Sequence, residues 1–162
     1  MKEAIANAGV YNLVIMFVII LLVFFIGSLS YSKAFKVKNK IIEEIEKDQG
    51  YTIGINDSTE DRVEEWISNI GYRVNVGNAR NTENCPKVTG NGGNAGKLVN
   101  TDGDYQYCVY EFDTCASKEA DKAKCGKYYR VTTYMYFDIP IIAGLLKLPV
   151  SGETMIFNEV DS

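Results

Sequence analysis

The chain contains no histidine. That absence removes the commonest general base and a common metal ligand, and with them most hydrolase and zinc-enzyme chemistry. None of its four cysteines, Cys85, Cys108, Cys115 and Cys125, belongs to a C-x-x-C pair. The close thiolate spacing of a structural zinc site is therefore missing too. Positive charge is not in excess either: 17 Lys and Arg face 21 Asp and Glu, for a net charge of −4. A nucleic-acid binder should carry a basic face, so this balance argues against a nucleic-acid partner. No nucleophile motif and no internal repeat is present. The expectation is a protein that is not an enzyme and uses no metal and no cofactor.

Charge is also missing from one stretch of the chain. Residues 4–32 hold no charged side chain, and "NAGVYNLVIMFVIILLVFFIG" is apolar almost throughout. A bilayer crossing needs ~20 apolar residues, and residues 8–29 supply them. Tyr11 and Tyr31 fall near the two expected interfaces, where rings with a polar end are favoured. A cleaved secretion signal would have a shorter apolar core followed by a small-residue cleavage motif. "GSLSYSKAF" matches that only weakly, so cleavage there is the minority reading. The span has no GxxxG motif, which leaves ordinary packing, with Gly27 and Ser28 as the close-approach positions.

Two signals for topology conflict. Lys33, Lys36, Lys38 and Lys40 follow the span and only Lys2 precedes it, a bias that by itself keeps the following domain in the cytoplasm. The even cysteine count and the Asn- and Gly-rich loops point instead to an oxidising exterior. The expected location is the cell membrane, single-pass, with the C-terminal domain extracytoplasmic and lipid as one partner.

Helical character continues past the span. "YSKAFKVKNKIIEEIEKD" has no Pro and no Gly, and Phe35, Ile41, Ile42 and Ile45 recur at helical spacing. Lys40/Glu44 and Glu43/Lys47 are i,i+4 pairs, and Gly50 is a stop signal. The simplest expectation is one helix over about residues 7–48, with Phe35, Ile41 and Ile45 facing a sheet. A break near Gly27 and Ser28 is the alternative. The chain divides into a tail or leader (1–9), a transmembrane helix (10–30), its amphipathic continuation (31–50) and an α+β domain (51–162).

In that domain Asp57 and Ser58 are cap candidates, Val63, Trp66, Ile67 and Ile70 form an apolar stripe with Trp66 as core, and Gly71 closes the helix. "YRVNV" then reads as a strand. Residues 77–96 read as an exposed loop. "GNGGNAGKL" fails as a phosphate loop, because Asn91 stands where Gly is needed and Leu98 where Ser or Thr is needed. "KLVNTDGDYQYCVYEF" reads as a hairpin turning at Asp102-Gly103. Asn100, Asp102, Asp104 and Glu111 have calcium-loop spacing, but Tyr105 replaces the required Gly and strands flank the stretch. "KYYRVTTYMYFDIP" is a long strand, "IIAGLLKLPV" is a buried connection or an apolar surface, and "GETMIFNEV" is a last strand. Four cysteines allow three disulfide pairings. Cys115 with Cys125, closing "DTCASKEADKAKCGK", and Cys85 with Cys108, pinning the Gly-rich loop to a strand, are favoured. Four reduced thiols are the alternative. The fold class is α+β, a long transmembrane-plus-amphipathic helix packed on a small antiparallel β-sheet.

This arrangement resembles the type IV pilins and pseudopilins. The ending "VTTYMYFDIPIIAGLLKLPVSGETMIFNEV" looks like that of TadE-like proteins, the minor pilins of tight-adherence pilus systems. The resemblance covers the first ~50 residues as architecture and the last ~35 as pattern. It implies a prepilin-type processing site after Gly9, behind the leader-like "MKEAIANAG". It also places Val14 where the family carries the Glu that helps subunits dock. The implied function is a membrane-held minor or accessory subunit of a pilus or secretion assembly, with other pilin-like subunits as partners. The runner-up is a membrane-anchored extracytoplasmic ligand-binding or sensor domain that uses the Gly/Asn loop and exposed tyrosines.

Overall fold

The computed structural model of the chain describes residues 2–54, 56–72, 81–90, 93–101, 104–115, 125–136 and 147–158, with backbone alone for 2–8 and 82–83. One helix, α1 (Lys2–Asp48), occupies the N-terminal 47 positions without a break at Gly27. At 1.5 Å per residue it is about 70 Å long. α2 (Thr59–Ile70) follows, then the single-turn α3 (Asn81–Asn84) and the strands β1 (Lys97–Leu98), β2 (Tyr107–Asp113), β3 (Gly126–Tyr136), β4 (Lys147–Glu153) and β5 (Phe157–Asn158). The sheet is antiparallel in the order β1-β2-β3-β4, with β5 also on β3. The expected α+β class and helix-on-sheet arrangement are present.

α2 starts and stops where its sequence signals stand. Ser58 Oγ accepts from Asp61 N, and the Asp61 side chain returns a bond to Ser58 N, which satisfies two otherwise orphaned donors. Gly71 closes the helix in the left-handed region at φ 64°. Val63 and Ile67 are fully buried, while Trp66 and Ile70 are only partly buried at the edge of the same core.

Strand alternation sorts the side chains into two layers. Tyr107, Val109, Tyr129 and Val131 meet Val37, Ile41 and Ile45 of α1 and Val63 and Ile67 of α2. Cys108, Tyr110, Phe112, Tyr128 and Tyr134 face the other way, beneath Cys85, Val88 and Leu98. Gly152 lets α1 come close to β4, because a Cβ there would lie 2.9 Å from Lys38 Cδ and 3.0 Å from Ile42 Cδ1. Each aliphatic side chain fully buried along this seam contributes about 1.5–3 kcal/mol.

Several expectations change. Phe35 is not part of the helix–sheet seam. It is 41% exposed, stacks on Tyr31 and lies under Lys38 Nζ. The seam is Ala34, Val37, Ile41 and Ile45, all fully buried, and Phe35 points about 100° away from Ala34 around the helix. The hairpin before β2 does not have the register of a two-residue turn at Asp102-Gly103, which themselves lie outside the described residues. Lys97 pairs with Glu111 and Leu98 with Tyr110, which centres the connection further along. Asn100 explains the wider turn. Its side chain donates to Tyr107 O at 2.7 Å and accepts from Val109 N at 2.8 Å, filling ladder positions with an amide group. Asn100 is therefore committed to the fold rather than to calcium. The last strand begins earlier than expected, at Lys147, and is interrupted before β5. Of the strand expected over 72–76, Tyr72 is not in a strand and the rest lies outside the described residues.

Candidate functional surface: the exposed helix and its junction with the sheet

α1 has two environments along its length. From Val10 to Leu29 its large apolar side chains other than the half-buried Val23 are exposed, with Phe24 76% and Leu13 69% accessible. From Ala34 onward one face is fully buried against the sheet. The helix has a window of mean hydropathy 3.0 that is 6% buried, long and apolar enough to cross a membrane. An apolar helix left bare in this way is not the core helix of a globular domain.

The boundary between the two halves is tightly built. Thr133 Oγ1 of β3 donates to Ala34 O at 2.9 Å. Two positions on, Met135 joins Val23, Phe24, Gly27, Ser28 and Tyr31 around an open apolar groove of about 470 Å³. The C-terminal end of β3 and the start of β4, with Tyr136 opposite Lys147, therefore lie beside the end of the apolar run.

Gly9 is inside α1 rather than ahead of it, and a Cβ added there would have nothing within 4 Å. Val14 is an exposed helical residue. Ile41 and Ile45 lie in the core as expected.

The four cysteines separate into a bonded pair and a free pair. Cys85 and Cys108 form a disulfide that ties the segment after α3 to the outer face of β2. Neighbouring bonds reinforce it: Asn81 Nδ2 donates to Asn100 O at 3.0 Å, and the Tyr110 hydroxyl donates to Pro86 O at 2.5 Å. Gly90 and Gly96 pack directly on the Phe112 ring, which stacks on Tyr128 at 4.9 Å. The described part of the Gly/Asn loop is thus a packed flap, not the free loop expected from composition. The Cys115–Cys125 disulfide expected from the sequence is not formed, and both residues are free thiols. The end of the β2–β3 hairpin is closed there by Thr114 N donating to Gly126 O and Gly126 N donating to Thr114 Oγ1, both at 2.9 Å. A hydrogen bond with the Cys125 thiol, aided by burial, pushes the Cys115 thiol up to about 12.

Titratable groups gather where α1 meets α2. Arg62 Nε lies 3.0 Å from Glu44 Oε2, and its Nη2 reaches Asp48. The hydrogen bond from Lys40, then that from Arg62, outweighs desolvation and holds Glu44 below the usual carboxylate range. Thr59 and Arg62 hold Asp48 low in the same way. Glu64 moves in the opposite direction. Burial, with the charges of Glu60, Asp104 and Asp61, raises it to about 7, although Asp104 N donates to it. Glu44, Asp48 and Arg62 brace the two helices. Among the described residues no group of three or more His, Cys, Asp or Glu could hold a metal ion.

A second groove, about 590 Å³, opens on the outer sheet face between Asn84, Cys85, Thr132, Tyr134, Lys147 and Ser151. Asn84 Nδ2 there is buried without a hydrogen-bond partner.

The fold and surface define a class: an α+β domain whose sheet is packed on the second half of a helix that is bare and apolar in its first half. Comparison with protein-family models, curated proteins and solved structures finds no match for the chain.

Proposed function

We propose that this chain is a pilin-like minor subunit or accessory protein of a tight-adherence or type IV pilus, or of a related secretion assembly. α1 crosses the membrane once over residues 10–30, and the domain from residue 51 is extracytoplasmic. One observation carries the reading: a single unbroken helix is bare and apolar in one half and the core of a sheet domain in the other. Such a helix transmits position. Whatever its apolar half packs against in the bilayer sets the place of the rigid domain outside. The protein acts through helix packing and protein contacts, not through catalysis. Gly9 is the processing position, and Val14 replaces a docking carboxylate with an apolar surface suited to ordinary packing.

Deleting the gene is expected to reduce surface filaments and adhesion, and unchanged filaments and adhesion overturn the reading. Mass spectrometry of the membrane-extracted protein adds an independent check, with loss of residues 1–9 as the expected result.

A second reading, an anchored ligand-binding domain, draws support from the outer groove with its unpartnered Asn84 amide. Specific binding of a glycan by the full chain, with no effect of gene deletion on filaments, would favour it.

A further inference from the structure

We infer that the helix-side end of the domain is a docking surface for anionic phospholipid headgroups, formed by Lys33 and Lys36 with Tyr31, Phe35 and Leu148. The inference rests on the single-pass reading of α1 and adds what the domain does at the bilayer surface.

Position is the first support. If the crossing ends at residue 30, Lys33 and Lys36 lie about 5 and 9 Å beyond it along the helix. The headgroup layer occupies roughly 5–8 Å on each side of the hydrocarbon. Both side chains are exposed and long enough to stay in that layer. The sheet reaches the same level. Thr133 bonds Ala34, Met135 touches the groove at Gly27 and Ser28, and Leu148 pairs with Met135 while 45% exposed. No stalk separates the sheet from the end of the apolar run.

Charge is the second support. Residues 4–42 contain four lysines, all after position 32, and no acid, in a chain whose net charge is −4. Lys40 is engaged by Glu43 and Glu44, and Lys38 lies over Phe35. Lys33 and Lys36 are the remaining pair on the helix. Lys147 on β4 is engaged in the same way as Lys38, its Nζ 3.9 Å over the Tyr134 ring. Cations interleaved with exposed Tyr31, Phe35 and Leu148 match an interface that is anionic at the surface and apolar just below.

The test uses the full chain in vesicles of phosphatidylcholine alone and of phosphatidylcholine with phosphatidylglycerol. Acylation of individual lysines is followed by mass spectrometry, with Lys97, further along the sheet, as internal reference. Phosphatidylglycerol is expected to slow acylation of Lys33 and Lys36 about fivefold relative to Lys97, and high salt should abolish the difference. Equal rates in the two lipids, with the chain floating with both vesicles, overturn the docking surface and leave the anchor intact. Failure to float with either vesicle overturns the anchor as well. A variant carrying Lys33→Gln and Lys36→Gln should still float but lose any phosphatidylglycerol-dependent protection of amide exchange over residues 133–136. Protection retained in that variant also overturns the assignment.

Discussion

Thr133 Oγ1 donates to the main-chain carbonyl of Ala34 at 2.9 Å, across 99 residues of sequence. Both residues are fully buried. The Ala34 side chain is small enough for β3 to approach the helix backbone itself. The hydroxyl then gives a helix carbonyl an additional partner, which fixes the height of the sheet along α1. Hydrophobic burial by Val37, Ile41 and Ile45 supplies the energy of this contact, and the hydrogen bond supplies its register.

Thr133→Val keeps the shape and removes the donor, so it should cost about 1 kcal/mol. Ile41→Ala leaves a cavity in the seam and should cost about 2–5 kcal/mol. Phe35→Ala should change stability by less than about 0.5 kcal/mol, as expected for a surface position. Urea titration of the full chain in a mild detergent, followed by Trp66 fluorescence, ranks the three. A Phe35→Ala loss equal to that of Ile41→Ala would place Phe35 back in the seam.

Helix length, the α2 caps and strand alternation were legible because each depends on local sequence. The ring of Phe35 was misleading. Large apolar residues draw attention, whereas Ala34, Val37, Ile41 and Ile45 at spacings of 3, 4 and 4 carry the buried stripe. Counting Ala as apolar would have found it. Asn100 was beyond local reading. Its spacing to nearby acids suggested a cation loop, but its role depends on Tyr107 and Val109 across the turn. The groove at Met135 was equally hidden, since residues 23–31 and 135 meet only after β3 has docked.

The Cys85–Cys108 disulfide closes a separation of 23 residues, for which chain-entropy arguments give about 3 kcal/mol. Replacing both cysteines by alanine should lower stability by that order and expose the flap of residues 81–90 and 93–96 to proteolysis first. Labelling the unreduced folded chain should modify only Cys115 and Cys125, with Cys115 reacting slowly at pH 8, because its thiol is pushed up to about 12 and the thiolate is the nucleophile. Limited proteolysis and thiol mass spectrometry check both outcomes. Four labelled cysteines would remove the disulfide.

Acid stability should be non-monotonic. Glu64 titrates at about 7 in the folded chain against 4.5 for an ordinary Glu. The folded state therefore holds more protons between those values, and stability rises as pH falls from 7 towards 4.5. Glu44 and Asp48 are held low. Their contribution is present above the ordinary carboxylate range and is lost as pH falls through their depressed folded values. Maximum stability is expected near the low end of the first window. Glu64→Gln should flatten the slope between pH 4.5 and 7 and leave the acid limb in place. Thermal melts across this range decide it, and an unchanged slope in Glu64→Gln would assign the effect elsewhere.

The outer edge of β4 is protected by Pro149. Thr154 N donates to Tyr129 O at 2.9 Å, and Tyr129 N donates to Thr154 Oγ1 at 3.0 Å. Antiparallel pairs alternate between hydrogen-bonded and non-bonded. The register pairing Pro149 with Tyr134 therefore turns the Pro149 nitrogen away from β3. Among the described residues β4 pairs only with β3, so this nitrogen lies on the open edge. A proline there costs no ladder bond and denies an incoming strand one donor. Pro149→Thr restores that donor next to exposed Leu148. The variant should fold and keep its disulfide, but associate with itself through the freed edge. A concentration-dependent shift to larger species on size exclusion, with wild type unshifted in the same detergent, is the expected result. If both chains elute identically at every concentration, Pro149 is not what keeps the edge unpaired.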